Sequence, residues 1–274
     1  MIPAEFKYLF PSTVDEAVRM LAEEGEDAKV IAGGQSLVPV LRMRLAAPTA
    51  LIDIGGLTEL TGVRDDGDSL LIGAMTTHYE VQRDHLIHDH ALLLKLVTDT
   101  VADPQIRHRG TFGGSLCHAD PAGDLLAPAL ALDAVMIIAG PGGRREVPAS
   151  EFFVDYFTTA LAPDEILIDV RVPKFTGWGA HYEKLNRVAQ AWSIVAVAAA
   201  VQVSGGAISA ARVGLTNVGS GPLRAFEVEA ALVGQPASAE VISEAALRAS
   251  AGDGYKDNLA RVLTGRALTA AVAG

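Results

Sequence analysis

The chain has 274 residues, half of them apolar and one fifth charged, with a formal net charge of −11. That composition describes a folded protein of about two domains, and it excludes a disordered chain or one built to bind nucleic acid, which needs a basic face. The one cysteine, Cys117, cannot by itself build a disulfide, an iron–sulfur cluster or a structural zinc site.

From the N-terminus, Phe6 to Leu9 alternates and reads as a short strand. Ser12 or Thr13 caps a helix on which Val14, Ala17, Val18, Leu21 and Ala22 form one apolar stripe, and Gly25 ends it. Lys29 to Ala32 reads as a buried strand running into Gly33-Gly34, followed by a short helix from Leu37 and a strand over Leu51 to Ile54. Asp66-Gly67 predicts a hairpin turn between strands at 61–64 and 69–73. Thr77 with Glu80 opens a short helix, and residues 85–102 are expected to form a single longer one. Residues 103–115 read as irregular and glycine-rich. A helix is predicted over about 122–132, with Asp120 before Pro121 as its cap.

Strands follow near 134–139, 144–147 and 165–172, the last ended by Pro173. Residues 174–179 mark a candidate domain boundary. Beyond it lie three strand-like segments near 180–186, 193–203 and 207–216, with Gly205-Gly206 as a tight turn, then helices at about 225–233, 238–250 and 256–270. The order of elements is that of an α+β protein. Apolar runs such as Ile194 to Val201 hold eight residues, against about 20 for a bilayer crossing, so no membrane span is expected.

Gly-x-Gly-x-x-Gly, Gly-Lys and His-Glu-x-x-His are all absent. His78, His85, His88 and His90 crowd one helix and its approach, and their spacing predicts an exposed polar face rather than a metal site. Two glycine-centred turns carry more information. Ala32-Gly33-Gly34-Gln35-Ser36-Leu37 joins a buried strand to a helix start, where successive backbone N–H groups form a nest suited to a diphosphate. Gln35 and Ser36 can add side-chain hydrogen bonds there, and an ordinary tight turn is the other reading of this segment. Arg109-Gly110-Thr111-Phe112-Gly113-Gly114-Ser115 again places a serine after paired glycines, here without the intervening Gln35 of the first segment, and is trailed by Asp120 and Asp124, of which Asp124 is the ligand candidate. Two such turns without a lysine or metal ligands favour a dinucleotide clasped between two lobes. A Cβ at Gly33, Gly34, Gly113 or Gly114 is expected to strain the turn and fill the phosphate's space.

These motifs, together with Ala102-Asp103-Pro104-Gln105-Ile106-Arg107, Ile72 to Thr77, Tyr182 to Leu185 and Gly214 to Val218, resemble the FAD-binding medium subunits of molybdenum hydroxylases, those of aerobic carbon monoxide dehydrogenases most of all. The resemblance covers nearly the whole chain. It implies an FAD-binding domain of the vanillyl-alcohol-oxidase type over 1–175, in two subdomains at about 1–56 and 57–175. A C-terminal domain over 176–274 is implied to hold a three-stranded sheet and a helical bundle. By this resemblance Ala32, Gly33, Gly34, Gln35, Ser36 and Leu37, with Thr111, Gly113, Gly114 and Ser115, grip the FAD diphosphate and adjoining groups. Asp124, Leu167 and Lys184 stand where related purine oxidases place an aspartate, a leucine and a lysine at FAD. Trp192 stands where the carbon monoxide enzymes have a tyrosine against the flavin ring, with a strand-opening core aromatic as the plainer reading. Gln35 replaces a histidine of that subfamily's first motif.

The implied function is electron relay by non-covalently bound FAD, with no catalytic or metal-binding residue on this chain. Molybdopterin and [2Fe-2S] clusters are implied on a large and a small partner subunit, in a cytoplasmic dimer of heterotrimers that passes electrons to an acceptor such as a quinone or cytochrome. Carbon monoxide comes first as the oxidised substrate, with N-heterocycles and purines as alternatives. A stand-alone flavin oxidase, with His118 as its base, and a non-catalytic nucleotide-binding module are the readings of other classes.

Overall fold

The computed structural model describes residues 2–252 and 254–274. The first unit consists of β1 (Lys7–Leu9), α1 (Val14–Glu24), β2 (Ala28–Ile31), α2 (Leu37–Arg42) and β3 (Ala50–Asp53). Its three strands run parallel in the order β1-β3-β2, the arrangement that helical crossovers produce. Thr13 caps α1 by accepting from the Glu16 backbone N–H, and the Glu16 carboxylate accepts from both the backbone and the hydroxyl of Ser12. The predicted stripe Val14, Ala17, Val18 and Leu21 is buried, and Gly25 ends the helix at a positive φ that a side chain would resist.

The second unit starts with the hairpin β4 (Val63–Asp66) and β5 (Ser69–Gly73). Six short helices follow: α3 (His78–Arg83), α4 (His85–His90), α5 (Leu92–Asp99), α6 (Pro104–Arg107), α7 (Phe112–His118) and α8 (Leu126–Ala131). Then come β6 (Val135–Gly140), β7 (Gly143–Pro148), α9 (Ala149–Phe152), a small hairpin of β8 (Phe153–Asp155) and β9 (Thr158–Thr159), and β10 (Ile166–Pro173). Its main sheet has the order β4-β5-β10-β6-β7, antiparallel throughout.

Three expectations fail in this unit. The single helix over 85–102 is two helices, because Asp84 caps α4 through two backbone N–H groups and Ala91 leaves helical geometry between them. The segment 103–115 is largely helical: Asp103 caps α6 with Pro104 at its first position, and Thr111 caps α7 through the Gly114 N–H. The helix at 122–132 shrinks to α8, and the Asp120 carboxylate instead accepts from the Ala122 N–H across a turn.

The third unit is an antiparallel sheet of β11 (Gly179–Leu185), β12 (Val195–Ser204), β13 (Ala207–Thr216) and β14 (Leu223–Arg224), with α10 (Phe226–Leu232), α11 (Ala239–Ala246) and α12 (Gly254–Ala273). Three long strands are as expected; the two-residue β14 is an addition on the far side of β13. The middle strand β12 is buried on both faces. Val195, Val197, Ala199 and Val201 meet the helices α10–α12, whereas Ala196, Ala198 and Ala200 join the core of the second unit, as the two-residue period of a strand dictates. Among the described residues no helix is long and apolar enough to cross a membrane.

The sheet meets the second unit closely at Gly214 on β13, where an added Cβ would lie 2.5 Å from the carbonyl oxygen of Ala127 on α8. Backbone cannot yield there as a side-chain tip can. Gly214→Ala should therefore lower stability by about 1–3 kcal/mol, read as an earlier urea midpoint with an unchanged slope.

Candidate functional site

A cleft of about 630 Å³ lies where the three units meet. All fourteen residues singled out from the sequence line it: Ala32 to Leu37, Thr111, Gly113, Gly114, Ser115, Asp124, Leu167, Lys184 and Trp192.

The two glycine segments are not equivalent. In the first, Gly34 takes a φ of 74°, and the backbone N–H groups of Gly33, Gly34, Gln35 and Ser36 donate to no partner among the described residues. The Gln35 side chain folds back to donate to the Gly33 carbonyl at 2.9 Å, and Ser36 makes no capping bond to α2. In the second, the donors are already used. Phe112 N donates to Thr76 O, Gly113 N to Ala74 O, Gly114 N to Thr111 Oγ1 and Ser115 N to Thr111 O. The second segment is thus no nest but the first turn of α7. What it offers a ligand is the side-chain hydroxyls of Thr111 and Ser115.

The reason for glycine also differs from the expectation. A Cβ on Gly33 would overlap the Arg109 carbonyl, and one on Gly113 would lie 2.5 Å from Ala74 Cβ. At Gly114 it would reach Thr111 Oγ1 at 2.5 Å and Ala32 Cβ at 3.6 Å. At Gly34 it would meet the Val38 and Ile31 side chains, besides resisting the positive φ. At each of these glycines the space of the missing side chain is taken by the protein's own atoms, and at Gly33 by the backbone of Arg109 and Gly110, which packs the two glycine segments against each other.

Across the cleft, Lys184 Nζ lies 2.8 Å from Asp124 Oδ2, and the Tyr182 hydroxyl donates to Asp124 Oδ1 at 2.7 Å. The paired side chains are 7% and 8% exposed. Burial pushes the Asp124 carboxyl up from its ordinary range, against the pull of Lys184 and the phenol, and burial beside Asp124 raises the Tyr182 phenol well above 10.0. Tyr182 and Lys184 stand two residues apart on β11, hence on one face of the strand. That spacing is readable in the sequence, although nothing in it marks Tyr182 as the partner of Asp124.

The Ala102 to Arg107 segment supplies another wall. Arg107 Nη1 donates to the Val101 and Ala102 carbonyls at 2.8 and 3.2 Å, securing a turn in which Ala102 has a φ of 41°. Leu167 on β10 pairs with Ile138 on β6, immediately before a register shift that ends at Asp169. Trp192 is 69% exposed at the cleft's rim, so it is not a core aromatic. Asn217 steadies the chain behind it by donating to the Ser193 and Ile194 carbonyls.

Of the four clustered histidines, His85 and His88 are exposed and His90 is half-buried, but His78 is only 2% exposed and lines the cleft. The Thr77 capping box starts α3 at that point, and the His78 N–H donates to the Gly110 carbonyl at 2.9 Å. Its Nε2 lies 3.1 Å from Ser115 Oγ. Burial, then the positive charge of Arg107, brings its pKa down from 6.5 to about 4. His118 ends α7, and its half-buried ring packs on Phe157 with centroids 5.3 Å apart. Among the described residues no cluster suited to a metal ion occurs.

Residues 4–175 match the FAD binding domain in molybdopterin dehydrogenase, and residues 180–271 match the CO dehydrogenase flavoprotein C-terminal domain. The chain is 39% identical to the carbon monoxide dehydrogenase medium chain of Hydrogenophaga pseudoflava, over 99% of this chain and 98% of that one. A solved structure of carbon monoxide dehydrogenase from the same organism superposes with a TM-score of 0.95 at 40% identity, covering 100% of this chain and 99% of that one. Quinoline 2-oxidoreductase from Pseudomonas putida 86 superposes with a TM-score of 0.94 at 31% identity, with the same coverage.

The buried imidazole sets a pH dependence. As pH falls through 6.5 the unfolded His78 takes up a proton, which the folded one refuses until about 4. The unfolded state binds more protons in that window, so stability present above it is lost as pH falls, by about 3 kcal/mol in all. Urea unfolding at pH 7.5 and pH 4.5 should show this component in the native chain and not in His78→Gln. Equal losses in both proteins would mean that His78 does not carry it.

Proposed function

This chain belongs to the family of FAD-binding subunits of molybdopterin dehydrogenases, and on that premise we propose that its cleft holds FAD non-covalently and relays electrons within a carbon monoxide dehydrogenase. The observation that carries the reading is the convergence, on one cleft, of the unused N–H groups at Gly33 to Ser36 with the residues of all three units. Four backbone donors at a strand end suit the two negative charges of a diphosphate. The residues present therefore fit the cofactor.

In this reading Gly33 to Ser36 bind the diphosphate through backbone N–H groups, and Thr111 and Ser115 add hydroxyl donors. Ala32 and Leu37 complete the first wall, while Gly113 and Gly114 let α7 approach it. Asp124 and Tyr182 hold the Lys184 ammonium in a dry, fixed position, where it supplies positive charge to the cofactor's polar groups. Leu167 presents an apolar surface, and the exposed Trp192 offers an aromatic face at the rim. FAD, when bound, supplies a carrier that exchanges electrons singly or in pairs.

With one cysteine and no metal cluster among the described residues, the chain depends on other subunits for electrons. We assign the iron–sulfur clusters to a small partner and molybdopterin to a large one, in a cytoplasmic dimer of heterotrimers with a quinone or cytochrome as acceptor. Carbon monoxide is the proposed substrate of the large subunit; the similarity to quinoline 2-oxidoreductase supports an N-heterocycle as the second reading. A stand-alone oxidase lacks support, since His118 has no hydrogen-bond partner among the described residues to orient it as a base. Burial pushes the Cys117 thiol up to about 12, which disfavours the thiolate that a covalent flavin link through sulfur would use.

Acid precipitation of the purified complex should release yellow FAD into the supernatant. Gly33→Ala should reduce flavin occupancy at least tenfold by parting the two glycine segments, while the variant still assembles; full occupancy would show that the crossing does not shape the site.

Adding carbon monoxide to the complete complex should bleach the yellow absorbance of the oxidised flavin. The same complex without its iron–sulfur subunit should stay yellow. Bleaching of the chain alone by an organic substrate would favour the stand-alone oxidase.

A further inference from the structure

His78 is the one member of the histidine cluster that the fold turns inward, and the flavin reading leaves it without a task. Its backbone N–H is fastened to the Gly110 carbonyl, and its Nε2 to Ser115 Oγ. The ring also lies so close to Gly110 that a Cβ there would meet its Cδ2 at 2.9 Å. His78 is thus held against the second glycine segment at three points, one through its backbone and two through its ring. Its Nδ1 is buried and has no hydrogen-bond partner among the described residues.

Burial keeps the ring neutral near pH 7, so one nitrogen carries a proton and the other accepts. With the proton on Nδ1, Nε2 would accept from the Ser115 hydroxyl and a buried N–H would be left without an acceptor, which native proteins rarely keep. With the proton on Nε2, His78 donates to Ser115 Oγ and the buried Nδ1 is left as a bare acceptor, so that no buried N–H goes without an acceptor. The second arrangement leaves the Ser115 proton free, and Ser115 lines the cleft. That matters because the backbone N–H groups of Phe112 to Ser115 already donate within the chain.

We propose that His78 is a positioning residue for the cofactor: its Nε2–H holds the Ser115 oxygen so that the serine proton points into the cleft and donates to a diphosphate oxygen of FAD. The proposal rests on the flavin reading above. It assigns the second glycine segment one oriented hydroxyl in place of a backbone nest.

The test is FAD titration of the flavin-stripped complex, followed by flavin fluorescence, in His78→Met, His78→Gln, Ser115→Ala and the two double variants. Gln carries an amide N–H near the place of Nε2, and Met carries no donor. A hydrogen bond to a charged acceptor predicts that His78→Met and Ser115→Ala each weaken FAD binding about tenfold. His78→Gln should bind within about twofold of the native complex. In the Ser115→Ala background, Met and Gln at position 78 should bind FAD equally. Equal weakening by Met and Gln in the native background, or a Met effect undiminished without Ser115, would reduce His78 to a structural role and overturn the proposal. Should His78→Met fail to assemble, Ser115→Ala decides: native affinity in that variant overturns it. A native complex that takes up no FAD would instead refute the flavin reading itself.

Discussion

Everything at the site follows from one close crossing of backbone on backbone. Gly33, at the end of the first parallel unit, lies against the carbonyl of Arg109 in the second, with no room for a side chain. This contact sets the distance between a turn with unused N–H groups and the helix α7 that carries Thr111 and Ser115. Supporting contacts fix its surroundings: Gly113 on Ala74, the Phe112 N–H on the Thr76 carbonyl, and His78 on Gly110. The crossing at the centre of the cleft is therefore written in main-chain atoms, which cannot change rotamer, and side chains finish the walls on either side.

That far wall is electrostatic. A buried ion pair such as Lys184 with Asp124 gains little net stability, since desolvation opposes the attraction. Its geometry is nevertheless tightly determined, because Asp124 accepts from Lys184 and Tyr182 at once. A lysine held this way is a fixed charge rather than a flexible one. The cleft thus sets backbone donors on one side against a stationary cation on the other, a suitable vessel for a polyanionic, redox-active ligand.

Much of this was legible in the sequence where a local signal had one physical meaning. The Thr13 and Thr77 caps and the Asp66-Gly67 hairpin all mark real features. The signal misled where local propensity and tertiary context disagreed. Gly110, Gly113 and Gly114 made 103–115 read as irregular, since glycine is a poor helix former. Thr111 as cap and the packing of Phe112 and Leu116 in the core outweigh that cost. Two helices over 85–99 looked like one because Leu, Ile and Val continue through Ala91. His78 was read with its neighbours as a surface residue, because its burial depends on a strand-like bridge between Thr77 and Thr111. No spacing in the chain announces a partner 34 residues away in sequence.

The doubly buried β12 bears on what the chain can do without its other half. A cut near residue 175 looks clean along the sequence, yet it would bare Tyr182, Ala196, Ala198 and Ala200, which all face the core of the second unit. Neither fragment would own a finished surface: one would present a flat apolar sheet, the other an open core. The C-terminal unit is therefore not a portable module that evolution or an engineer can graft onto another scaffold. The two halves must be inherited together.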